Sequence, residues 1–175
     1  MTVQSGATAN ASGSSEFHTV STLHQEGIVA GVIGAAIVAL WFLVIDSLDG
    51  RPLYTPTILG TAVFRRGAGL GAPELLPVSM EMVWMFTWVH GLLFVALGGI
   101  ASRLLFLAER NPSYGFGILL FFVVFQFGFF VVAMLFAASV LHALAWPKIL
   151  AANLLSSAAM AAYFWRCHPT LRVSP

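Results

Sequence analysis

Two histidines raise the first chemical question. His90 and His142 each fall in a long uncharged run, residues 83–102 and 114–142. If both runs are helices joined by a tight turn, they run antiparallel and their histidines lie toward the same end. Paired histidines on facing helices are the ligand set of a haem b iron. Depth argues against that use. With span boundaries near residues 81–83 and 143–146, His90 sits about 11–13 Å inside, at about 1.5 Å per residue, and His142 sits near the edge. The plainer expectation for His90 is a neutral, hydrogen-bonded side chain. The sharper one is a single axial ligand to a haem or pigment held mainly by a neighbouring subunit. Glu81 is placed to feed a proton to His90, but no carboxylate lies deeper to continue a relay.

The remaining polar residues in apolar runs are few. Gln126, Asn153 and the Ser156–Ser157 pair stand out. Polar groups at membrane depth are costly and mark structural or functional contacts. Gln126 and Asn153 read as glue between helices, typically about 0.6 kcal/mol and at most 1–2 kcal/mol each. The 114–142 run is dense in phenylalanine, with Phe122, Phe125 and Phe129 among several that wrap most of its circumference. Lipid contact and bundle packing account for such a helix. A groove for a carotenoid, quinone or chlorophyll tail is the alternative.

Catalytic patterns are missing. There is no phosphate loop, HExxH or GxSxG, and a single cysteine, Cys167, excludes a disulfide or multi-cysteine metal site. Adjacency of Cys167 and His168 does not by itself build a dyad. No enzyme activity, metal or required cofactor is expected. The net charge of +1 gives no electrostatic case for nucleic acid, and no soluble small-molecule substrate suggests itself.

The elements that carry these residues follow from composition. Of 175 residues, 59% are hydrophobic and 9% charged. Soluble domains are roughly 45–50% apolar and about 25% charged. The expected fold is all-α, a four-helix transmembrane bundle with spans at 27–45, 83–102, 114–142 and 149–165. None of the spans contains Asp, Glu, Lys or Arg. Residues 1–22 read as a flexible polar tail without the basic start of a signal peptide, and 23–175 as one transmembrane domain. Thr22 with Gln25 fits a capping box, Ser79 an N-cap, and Pro147 the first turn of the last helix.

The first link, 47–78, is long and holds Pro52, Pro56, Pro73 and Pro77. Inside it, Pro56 opens a short apolar stretch read as an interfacial helix, with Arg65 and Arg66 at the headgroups. Asp46 is expected to leave the first helix and Arg51 to pair with it or with phosphate. Trp84, Trp88 and Trp146 form an interfacial belt. Both termini fall on one side. Four basic residues lie on each side (Arg103, Arg110, Arg166, Arg172 against Arg51, Arg65, Arg66, Lys148), so the positive-inside rule selects neither orientation.

Small residues recur at helical spacing. Gly27, Gly31 and Ala35, with Gly34 beside them, mark the first span, and Ala151, Ala158 and Ala162 the last. Such stripes let helix backbones approach closely in lipid. Packing within the bundle is one reading, and a docking face for another subunit the other.

The stretch Trp41-Phe42-Leu43-Val44-Ile45-Asp46, then Gly50-Arg51-Pro52-Leu53, Thr55-Pro56 and Leu59-Gly60 resembles small bacterial four-helix membrane proteins to which no activity is attached. The resemblance spans residues 27 to 64 and implies a bacterial inner-membrane protein. The leading functional expectation is a non-catalytic accessory subunit of a larger membrane complex, respiratory or photosynthetic, embedded in the lipid bilayer beside other membrane-protein subunits. A haem-, pigment- or quinone-binding redox module using His90, and a small transporter, are the alternatives.

Overall fold

The computed structural model describes residues 5–66, 68–110 and 146–168, and all regular structure among them is helical. Helix α1 spans Ser5–Leu48, α2 Tyr54–Phe64, α3 Met80–Arg110 and α4 Trp146–Cys167. A single 3-10 turn, Pro73–Leu75, interrupts the link before α3. The expected 114–142 span, with Gln126, His142 and Phe122, Phe125 and Phe129, lies outside the described residues.

Local chemistry sets the boundaries. Ser79 caps α3, accepting from Val83 N–H through its carbonyl at 3.0 Å and from Met82 N–H through Oγ at 3.5 Å. Glu81 in the first turn favours the positive helix end. Pro147 falls in the first turn of α4, where a missing N–H costs nothing. The expected start of α1 at Thr22 differs from the structure. The helix runs on from Ser5 through most of the segment read as a tail. Extending a formed helix adds a hydrogen bond per residue without a new nucleus, and this segment contains no proline.

Helices α3 and α4 pack on α1, and both run antiparallel to it. Gly27 of α1 faces Gly98 and Gly99 of α3, and Gly31 faces Phe94 and Val95. A Cβ on Gly27 would lie 2.7 Å from the Gly99 Cα, so the two backbones are in direct contact there. Gly34 receives the Met160 and Phe94 side chains instead. The glycine stripe is therefore spent inside the molecule. Ala158 and Ala162 behave differently: both are exposed, while Ile149, Ala152, Ser156 and Phe164 form the buried face of α4.

Among the described residues, two helices are long and apolar enough to cross a membrane, Thr22–Leu48 and Met80–Glu109. Only 28% and 22% of their most apolar stretches are buried, so neither is the sheltered core helix of a globule. Ile28, Val32, Leu40 and Val44 of α1 and Trp84, Trp88, Leu92, Leu93 and Ile100 of α3 point outward.

Candidate functional site

The polar groups gather at three levels along α1. At the loop end, Asp46 stays inside α1 and is only 4% exposed. Its carboxylate accepts from the Thr55 backbone N–H and from the Thr55 hydroxyl, each at 2.7 Å. Thr55 is in the first turn of α2, whose own cap residue, Leu53, is left-handed at φ 65° and supplies no side-chain acceptor. Asp46 thus caps α2 from a neighbouring helix, a negative charge at a positive helix end. This corrects the expectation that Asp46 leaves the first helix, and its carboxylate is taken by Thr55 rather than by Arg51. The Arg51 backbone N–H bonds the Asp46 carbonyl at 2.8 Å. Its guanidinium instead donates to the Glu74 carbonyl at 2.7 Å and lies 3.9 Å over the Tyr54 ring.

The same end carries two exposed ion pairs, Lys148–Asp49 at 2.6 Å and Arg65–Glu81 at 3.2 Å. Trp41 Nε1 donates to the Lys148 carbonyl at 2.9 Å, tying α1 to the start of α4. Glu81 is thereby engaged at the surface. Arg66, at φ 50°, is exposed, as are Trp84 and Trp88. Trp146 opens α4.

At mid-height His90 faces Ala35. Its Nε2 lies 3.4 Å from the Ala35 carbonyl, which accepts, so that nitrogen carries the proton. Phe86 and Phe94 flank the ring with centroids 5.6 and 4.7 Å away. Ser156 Oγ donates to the Gly34 carbonyl at 3.2 Å. Asn153 Nδ2 is buried with no hydrogen-bond partner among the described residues. With Nε2 turned to the Ala35 carbonyl, the lone pair of the neutral ring falls on Nδ1. No group of three or more His, Cys, Asp or Glu side chains among the described residues is arranged to hold a metal ion.

At the opposite end, three helices meet at one histidine. His168, just past α4, places Nδ1 2.8 Å from Glu109 of α3 and Nε2 3.0 Å from Glu26 of α1. The three side chains are 18–32% exposed. Ser102, about two turns before Glu109 on α3, donates through Oγ to the Leu23 carbonyl at 2.8 Å. A cavity of about 230 Å³ beside it is lined by Leu23, His24, Ala96, Gly99, Ile100 and Arg103. Sequence reasoning missed this cluster. Its signal was positional: Glu26 directly precedes the first apolar run, Glu109 follows the second closely, and His168 follows the last. In an up-and-down bundle those three ends coincide.

The chain matches no family model, no curated protein sequence and no solved structure.

Proposed function

We propose that the chain is a multi-pass protein of the bacterial inner membrane that acts as a non-catalytic accessory subunit of a larger, bioenergetic membrane complex. One observation carries the reading. Three polar side chains inside the apolar helices close on backbone carbonyls (His90 on Ala35, Ser156 on Gly34, Ser102 on Leu23), while the outward faces are hydrocarbon. Inside a bilayer, polar groups must find internal partners. A bundle that satisfies them so and presents bare apolar surface suits lipid and neighbouring helices rather than substrate.

Connectivity supports a fourth crossing. Helix α3 ends beside His168, and α4 begins beside Trp41 and Asp49. The residues between them, 111–145, join opposite ends of the bundle and include the apolar 114–142 run. The bacterial placement rests on the resemblance over residues 27 to 64.

Purification in mild detergent tests the role. A defined set of membrane proteins should co-purify at fixed stoichiometry, and recovery as a lone monomer would overturn the accessory role. A visible absorption band lost on His90→Ala would replace it with the redox-module reading.

A further inference from the structure

The Glu26–His168–Glu109 cluster plays no part in the accessory role, and its geometry fixes a proton count. An ionised carboxylate can only accept a hydrogen bond. Both ring nitrogens of His168 lie within hydrogen-bond distance of a carboxylate oxygen, at 2.8 and 3.0 Å. Each contact needs one hydrogen, so the three side chains share two protons across them. The count is the same whether His168 is an imidazolium between two carboxylates or a neutral ring beside one protonated glutamate. Either arrangement leaves a net charge of −1.

We propose that Glu26, Glu109 and His168 form a two-proton clasp, and that losing one proton releases the end of α4 from α1 and α3. After that loss, a ring lone pair faces a carboxylate oxygen, and the cluster carries a charge of −2 with its water access reduced by burial. Repulsion at this distance is strongest where water is partly excluded. The direction follows: the clasp holds while both protons are bound and opens as pH rises. Other charged and titratable groups lie close by on α1, α3 and α4. Helix α1 supplies Glu26 and, along the neighbouring cavity, His24. Helix α3 supplies Glu109 and, lining that cavity, Arg103. Helix α4 supplies Tyr163, which interacts with Cys167 and feels the Glu26 charge. The device does not depend on whether the chain is an accessory subunit.

Cys167, the sole cysteine and exposed, sits beside the clasp and accepts a nitroxide label. The full-length labelled protein in lipid nanodiscs is followed by electron paramagnetic resonance as pH is raised from roughly 5 to 9, well to either side of the ordinary histidine value. The wild-type spectrum should pass from an immobilised to a mobile component as pH rises. His168→Gln, which cannot exchange a proton, should give a spectrum independent of pH. Glu26→Gln removes one of the charges that retain the protons, so its transition should move to lower pH, and it carries the test if His168→Gln does not fold. A wild-type spectrum constant over this range, a transition that persists in His168→Gln, or a Glu26→Gln midpoint equal to wild type would overturn the proposal.

Discussion

The two ends of the bundle are closed in different ways. At the loop end, the contacts are many and mostly independent: Asp46 caps α2, Trp41 reaches the Lys148 carbonyl, and Asp49 and Glu81 each take a separate cation. At the other end, one imidazole joins α1, α3 and α4 through two contacts that share the same ring. Redundancy makes the first end insensitive to any single exposed charge. Concentration makes the second end sensitive to one proton. Between them lies the seam of Gly27 and Gly31 against Gly98 and Phe94, which holds both ends in register.

Substitutions can break that contrast in graded steps. The largest effect is expected at the seam. Gly31→Val places a branched side chain against the Phe94 backbone, which has no flexible tip to yield. Overpacking of this kind costs about 3 kcal/mol. Thermal unfolding in detergent should show a large loss of stability, whereas Gly91→Ala, where an added Cβ meets nothing within 4 Å, should be neutral or stabilising by roughly 0.5–1 kcal/mol. Equal behaviour of the two variants would remove the seam as the element that sets the register.

Next in size is Asp46→Ala, which strands the Thr55 N–H at the start of α2. Removing one partner of a buried charged hydrogen bond costs about 2–3 kcal/mol. Faster hydrogen exchange should be confined to α2 and the link. His168→Ala should cost less, about 1–2 kcal/mol, because its partners regain water, and the exchange should rise at the far ends of α1, α3 and α4 instead. If the two variants loosen the same segments, the ends are not independent. The smallest effect belongs to the exposed pairs: Lys148→Met and Arg65→Met should each shift stability by less than about 0.5 kcal/mol.

Much of this architecture is legible along the chain. The apolar runs at 27–45, 83–102 and 149–165 lie within α1, α3 and α4, and Ser79 and Pro147 sit at helix starts. These are local signals, carried by hydropathy and capping chemistry. What stays hidden is pairing. The spacing of Gly27 and Gly31 announces a close approach but not its partner, and the same spacing at Ala158 and Ala162 leaves those alanines on the surface. Asp46 looked like a helix end because charge leaves apolar helices. The α2 start brought an N–H and a hydroxyl to its carboxylate, which made burial within α1 tolerable. The His168 cluster joins residues as far apart as 26 and 168. It becomes visible only once the helix ends are known to meet.

Under the proposed function, the chain crosses a membrane with the His168 end and the loop end on opposite faces. Labelling with a membrane-impermeant maleimide tests it most directly. Native Cys167 reports the first end. Gly71→Cys in a Cys167→Ser background reports the second, at an exposed position where an added Cβ meets nothing within 4 Å. In sealed vesicles of uniform orientation, one of the two cysteines should react at once and the other only after the membrane is permeabilised. Immediate reaction of both, or protection of both until permeabilisation, would contradict the account.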